Sequence, residues 1–200
     1  MTNIEKINLS KNLKTSAVLF ILLSIITGVI YPLAVSMTGQ ILLPWQAHGS
    51  LLYDAEGNVS GSRLIGQPFS GEKYFWPRPS ATSEHPYNAL ASSGSNLGPT
   101  NKKLLENILN KTKEMKKANN ADNIPGDLVM SSASGLDPHI SLESAKLQAA
   151  RIAKARSIDV EAVNRVIDEN SEKPLLGILG KERVNTVLLN MELDRMTNDG

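Results

Sequence analysis

The residues best suited to chemistry lie in two short polar loops. The run Ser134-Gly135-Leu136-Asp137-Pro138-His139-Ile140-Ser141 brings a serine, an aspartate and a histidine together. Such a trio supports nucleophilic catalysis when the imidazole bridges carboxylate and hydroxyl, and that is a matter of geometry, not of proximity in sequence. No Gly-x-Ser-x-Gly elbow accompanies it. The simpler expectation is that Asp137 and Ser141 make turn and helix-cap hydrogen bonds. Asp137 and His139 are then candidates for shaping the loop or meeting a partner.

The second loop, Ser92-Ser93-Gly94-Ser95-Asn96-Leu97-Gly98-Pro99-Thr100-Asn101-Lys102, feeds a helix start. Backbone N–H groups in such a loop can cradle an anion. Ser95, Asn96, Gly98, Thr100 and Lys102 are therefore the candidate nucleotide contacts. The pattern is not a phosphate loop, which needs Gly-Lys-Ser/Thr where this chain has Gly98-Pro99-Thr100. A tight capping turn is the simpler reading, with Gly94 and Gly98 placed where a side chain would obstruct the turn or another chain. Arg63, Arg78, Tyr87, Asn88, Ser93 and Asn96 complete the candidates for partner contact or loop shaping. For the two arginines, a solvated or intramolecular pairing is expected.

Composition removes other chemistries. The 200-residue chain has no cysteine, which excludes disulfides and thiolate sites. Its three histidines, His48, His85 and His139, show no metal-binding spacing, so no metal is expected. A net charge of +1 argues against nucleic acid as a partner. A faint helix-turn-helix pattern around residues 155–160 is set aside for that reason and for the topology below.

The elements that must position these residues follow from periodicity. Residues 51–53 and 59–65, joined by an acidic turn, read as a hairpin. Residues 66–95 are rich in Pro, Gly and Ser yet hold Phe69, Tyr74, Phe75, Trp76 and Tyr87, which predicts an ordered, packed loop. A helix is predicted to start near Pro99 or Thr100, with Leu104, Leu105, Ile108, Leu109, Thr112 and Met115 on one face. Residues 127–130 read as a short strand. Ser141 caps a helix carrying Leu142, Ala145, Ala149, Ile152 and Ala153. Asp159 caps another, with Val163, Val166 and Ile167 inward. Gly177-Ile178-Leu179-Gly180 reads as a turn. Val187, Leu189, Met191 and Leu193 alternate with other residues, so the end of the chain reads as a strand.

Residues 15–38 carry no charge and are long enough to span about 30 Å of hydrocarbon. Lys6, Lys11 and Lys14 precede them against one acid, Glu5, while the first cation after them is Arg63. This bias predicts a cytoplasmic N-terminus and an exported remainder. A cleaved signal with a site at Ala34-Val35-Ser36 is the alternative. The length of the stretch, its apolar continuation to Leu43 and Trp45 at an interfacial position favour a retained anchor. The expected architecture is α+β: a cytoplasmic tail (1–14), a transmembrane helix (15–38), a membrane-proximal linker (39–50) and one mixed α/β extracytoplasmic domain with long ordered loops (51–200). The bilayer is its first partner.

Six segments carry a resemblance. They are Gly61-Ser62-Arg63-Leu64-Ile65-Gly66-Gln67; Tyr74-Phe75-Trp76-Pro77-Arg78-Pro79-Ser80-Ala81; Tyr87-Asn88-Ala89; Ser92 to Asn101 as written above; Ser134 to Ser141; and Leu176-Gly177-Ile178-Leu179-Gly180 with Arg183-Val184-Asn185. In this order, behind a single N-terminal anchor, they resemble the C subunit of the Kdp potassium-transporting P-type ATPase of bacteria. Departures are small: Met130-Ser131 stands where that family more often has Thr-Ala-like residues, and Lys181 follows the Gly-x-x-Gly stretch.

The resemblance implies a place in an inner-membrane complex with a channel-like potassium-binding subunit, a P-type ATPase subunit and a small single-helix subunit. It implies a non-catalytic accessory role in assembly, described as that of a catalytic chaperone raising the pump's ATP affinity. ATP is thus implied at the level of the complex, and no cofactor is expected on this chain itself. The alternative is a nucleotide-binding regulatory subunit that contacts ATP directly. An exported domain and cytoplasmic ATP conflict, and the chain lacks a phosphate-loop lysine. The expectation is therefore an effect on ATP affinity through the pump's conformational equilibrium.

Overall fold

The computed structural model describes residues 9–174 and 176–198. Glu5 and Lys6, which enter the charge bias, lie outside the described residues. The chain divides into two units, residues 1–50 and 51–200.

The first unit is helical from Leu9 to Leu42, long and apolar enough by length and composition to cross a membrane. It extends beyond the predicted 15–38 at both ends. It consists of α1 (Leu9–Ile25), a π turn (Ile26–Ile30) and α2 (Tyr31–Leu42). The π turn has a cause. Pro32 has no N–H, and its ring collides with the carbonyl four residues back. Just before it, the Tyr31 N–H reaches Ile26 O, one residue further than in an α-helix. Thr15, Thr27 and Thr38 return their hydroxyls to the carbonyls of Lys11, Leu23 and Ala34. One more turn, α3 (Pro44–Ala47), follows.

The second unit is mixed α/β. β1 (Leu51–Tyr53) and β2 (Val59–Ser62) form the predicted antiparallel hairpin. α4 (Lys102–Asn119) starts two or three residues later than expected, because the Asn101 side chain accepts from Lys103 N and caps it there. Residues 126–128 form a 3-10 turn, correcting the strand expected over 127–130. Leu128 is fully buried, and Asp127 accepts from Ser141 N, Ser141 Oγ and Ser144 Oγ.

β3 (His139–Ser141), α5 (Leu142–Arg156), α6 (Val160–Glu169), β4 (Ser171–Glu172), β5 (Arg183–Asn185) and α7 (Thr186–Asn198) complete the fold. Ser141 and Asp159 cap α5 and α6 as expected, accepting from Ser144 N and Glu161 N. The three strands form one antiparallel sheet in the order β3-β5-β4.

The terminal strand is corrected to the helix α7. Its buried residues are Thr186, Val187, Leu189, Asn190 and Leu193, a helical stripe in which two members are polar. Scoring Asn190 as a surface residue leaves only the accidental alternation Val187, Leu189, Met191, Leu193.

The core joins Phe75, Met115, Leu128, Ile140, Ile152, Val163, Ile167, Val184, Leu189 and Leu193. Burying each such side chain contributes about 1.5–3 kcal/mol. Phe75 and Trp76 come from the long loop, which is ordered and packed as its aromatics predict.

Candidate functional site

The two polar loops of the sequence cross. Ser93 N donates to Ser134 O at 2.9 Å, and Ser92 Oγ donates to the same oxygen at 3.0 Å. The crossing needs glycine on both sides. A Cβ at Gly94 would stand 2.9 Å from Ala133 O, and one at Gly135 would stand 2.6 Å from Ser93 O and 2.7 Å from Thr82 Cγ2. Gly135 also has φ +68°, which side chains disfavour. Gly98 is different. A Cβ there would meet nothing within 4 Å, so the expectation that it relieves a crowded turn is corrected.

Around the crossing the long loop folds back on itself. Ser80 Oγ donates to Gly135 O and accepts from Tyr87 N. Tyr87 holds φ +59° and gives its hydroxyl proton to Arg78 O at 2.6 Å. Burial, with Asp137 nearby, pushes the phenol pKa well up, so it stays protonated. Asn88 is buried, caps the turn at residues 89–91 through Leu90 N, and donates to Ser83 O. These are architectural bonds that hold the backbone of residues 78–91.

Asp137 and His139 sit where this loop meets the sheet. Asp137 Oδ1 accepts from His139 N at 3.0 Å and lies 3.1 Å from His139 Nδ1. Asp137 Oδ2 accepts from Arg78 Nη1 at 2.9 Å. A carboxylate only accepts, so Nδ1 carries the proton in that contact. Burial pushes the Asp137 pKa upward, but the His139 hydrogen bonds and the charges of His139 and Arg78 more than offset it and bring it down to about 2.

The other edge of His139 faces Glu172, with Nε2 3.8 Å from Oε2. Glu172 accepts from Arg63 Nη2 at 2.8 Å and from Arg183 Nε at 3.0 Å. Burial opposes ionisation of Glu172, yet the two arginine hydrogen bonds hold its pKa below the usual value. Arg78, Asp137, His139 and Glu172 thus form one line of polar contacts that ends on both Arg63 and Arg183. It ties the turn after β2, the long loop and all three strands of the β3-β5-β4 sheet. Arg63 and Arg78 are paired within the chain, as expected of them. A groove of about 510 Å³ runs beside the line, lined by Arg78, Asp127, Asp137, His139, Glu143 and Arg183 among others.

The serine of the candidate trio is elsewhere. Ser134 Oγ accepts from Leu136 N at 3.1 Å and approaches Ser132 Oγ at 3.5 Å. Among the described residues Ser134 and His139 share no hydrogen bond.

The nucleotide candidates follow the crossing along the chain, Ser95 directly after Gly94. Asn96 is exposed with φ +52°, and Gly98 and Thr100 are exposed. Ser95 Oγ accepts from Leu97 N, and Asn101 N donates to Gly98 O. Lys102 opens α4, whose first turn is capped by Asn101 itself.

Sequence reasoning missed Glu172, which no motif marks, and quoted Arg183 only within a family-like segment without giving it a site role; the pairing of both β3 and β4 with β5 brings the two to His139. It also missed two buried amides, Gln148 and Asn190, that hold the long loop against α5 and α7. Arg151 and Arg156 reinforce that seam. Arg151 Nη2 donates to Tyr74 O and its guanidinium lies 4.5 Å over the Trp76 ring. Arg156 donates to Lys73 O, Leu193 O and Asp194.

Comparison with known proteins reaches nearly the whole chain. Residues 13–195 match the family model KdpC, described as the c chain of the K+-transporting ATPase. Among curated relatives, a protein of Trichlorobacter lovleyi named potassium-transporting ATPase KdpC subunit is 49% identical over 94% of this chain and 99% of its own. Proteins of the same name from Geotalea uraniireducens and Geobacter sulfurreducens are 46% and 48% identical, over 94% and 93% of this chain and 99% and 98% of theirs.

Proposed function

This chain belongs to the KdpC family, the c chain of the K+-transporting ATPase, and we propose that it is a membrane-anchored, non-catalytic subunit of such a complex. Its partners in this reading are the channel-like potassium-binding subunit, the P-type ATPase subunit and the small single-helix subunit. The chain spans the inner membrane once, with its N-terminus in the cytoplasm. Residues 51–200 stand outside, over the mouth of the potassium path.

The observation that carries the non-catalytic part is the use made of the candidate residues. Asp137 and His139 complete a line of polar contacts from Arg78 to Arg183 that joins loop to sheet, while Ser134 shapes its own turn. Hydrogen bonds of this kind hold a shape that a partner reads.

The proposal gives the chain an indirect influence on ATP. Binding to the pump subunit favours the pump conformation with higher ATP affinity, and by linkage ATP favours the assembled state. Direct ATP contact at residues 92–102 gains no support from the geometry. Three of the backbone N–H groups there, at Ser93, Leu97 and Asn101, already donate within the chain.

The test is potassium-dependent ATPase activity of the purified complex carrying His139→Gln in this chain. Activity within severalfold of the parent at unchanged subunit stoichiometry is expected. A thousandfold loss in a fully assembled complex would falsify the non-catalytic reading. Saturable micromolar ATP binding by this chain alone would overturn the indirect route.

A further inference from the structure

α4 leaves open one side of the face that the sequence pattern assigns to the core: Leu104, Ile108 and Thr112 are half-buried, while Leu105 and Leu109 are exposed. Of its apolar positions only Met115 is buried; Leu105 and Leu109 are 58% and 49% exposed. At about 100° per residue, Lys102, Leu105, Leu109, Lys113 and Lys116 fall within an arc of about 80° and span about 21 Å of the helix. All five are exposed.

The charge of this helix is one-sided. It carries six lysines against Glu106 and Glu114. Lys111 is engaged, 3.0 Å from Glu114 and 5.3 Å over the Trp76 ring. Among the described residues no ion pair involves Lys102, Lys103, Lys113, Lys116 or Lys117.

Lys116 and Lys117 suit the negative end of the helix dipole. Lys102 and Lys103 occupy the opposite end, where the dipole disfavours cations and where no acidic residue stands in the first turn. The helix therefore bears charges that its own electrostatics oppose, beside leucines that its own core does not cover.

We propose that this face of α4 binds an anionic bilayer surface, with Leu105 and Leu109 at the boundary between headgroups and acyl chains and Lys102, Lys113 and Lys116 on lipid phosphates. A cationic helix with a short apolar stripe is the type that lies in a membrane interface. An acidic protein surface is the other class of occupant. Lipid is favoured because the same chain carries the apolar helix Leu9–Leu42, and the connection from Leu42 to Leu51 restricts the domain to the neighbourhood of a bilayer. The proposal rests on that helix being membrane-spanning.

The chain has no cysteine, so single labels can be placed cleanly. The full chain is reconstituted into bilayers of phosphatidylcholine alone or with phosphatidylglycerol, bearing a nitroxide at Leu109→Cys, at Asn107→Cys on the other side of α4, or at Leu22→Cys in the anchor. The Leu109 label is expected to gain accessibility to oxygen and lose accessibility to a water-soluble nickel complex only when phosphatidylglycerol is present. The change should disappear in 0.5 M salt or with Lys102→Gln, Lys113→Gln and Lys116→Gln combined, while the Asn107 label stays in water.

A Leu109 label that stays in water in both bilayers, while the Leu22 label is immersed, would overturn the proposal and leave the anchor standing. A Leu22 label in water would overturn both. Immersion of the Leu109 label that ignores phosphatidylglycerol and salt would remove the anionic surface as its cause. Shielding that appears only after the partner subunits are added, with or without anionic lipid, would assign the face to protein.

Discussion

The side-chain amide of Asn190 acts toward Phe75 as a neighbouring β-strand would. Its Oδ1 accepts the Phe75 N–H at 2.8 Å and its Nδ2 donates to the Phe75 carbonyl at 3.0 Å. Gln148 repeats the arrangement one residue on, accepting from Trp76 N at 2.8 Å and donating to Trp76 O at 3.2 Å. Two helices thereby satisfy four polar groups of a loop that pairs with no strand among the described residues.

Asn190→Leu should therefore cost far more than its volume change implies. It leaves the N–H and carbonyl of Phe75 buried without partners, at about 1–3 kcal/mol each. Urea unfolding of the detergent-solubilised chain, followed by near-UV circular dichroism, should show a loss of about 2–6 kcal/mol. A loss under about 0.5 kcal/mol, the range of ordinary surface substitutions, would mean the clasp contributes nothing net.

Asp137 predicts an acid-dependent stability. Its folded pKa lies below the ordinary aspartate value of 3.8, at about 2. The stabilisation is thus fully present above about pH 4 and is lost as the pH falls through about 2. Asp137→Asn should lower stability at pH 7 by about 2 kcal/mol, and parent and variant should converge below about pH 2. Glu172, also held below its usual value, acts in the same direction. A gap that stays constant down to pH 2 would show that the carboxylate's charge is not what stabilises the loop.

The glycines separate by what surrounds them. Gly135→Ala meets two contacts under 3 Å and a left-handed backbone, and Gly94→Ala meets a backbone carbonyl at 2.9 Å. Gly98→Ala meets open space. Melting temperatures should fall in that order, with Gly98→Ala indistinguishable from the parent. Equal effects at Gly98 and Gly135 in the isolated chain would contradict the crossing of the two loops.

The anchor makes two claims that chemistry can check. Intact-mass measurement of the membrane-extracted protein should find residues 1–36 present, and a mature N-terminus at Met37 would identify a cleaved signal instead. Replacing Lys6, Lys11 and Lys14 by Gln should reduce the fraction of chains in which a C-terminal reporter is active outside the cytoplasm, because the inner-side lysine excess vanishes.

Elements whose buried faces are apolar were legible in the sequence. α5 shows Ala145, Ala149 and Ile152 at helical spacing behind Ser141, and α6 shows Val163, Val166 and Ile167 behind Asp159. The membrane-length helix was legible from its uncharged stretch 15–38 and the hairpin from its acidic turn, because both are local properties of the chain. The packed character of the long loop was legible too, because five aromatics are not left in solvent.

Tertiary structure decided the rest wherever a polar residue is buried or a partner is remote. α7 looked like a strand because its inward stripe contains Thr186 and Asn190, whose burial makes sense only once Pro138 and Phe75 are placed against them. Residues 127–130 looked like a strand because nothing local shows Asp127 turning to Ser141 and Ser144. The charge line was invisible because Glu172 and His139 meet only when β4 and β3 both pair with β5. Hydrophobic pattern reports which side of an element leaves water. Which polar group can afford to leave with it depends on a hydrogen-bond partner supplied by another part of the chain.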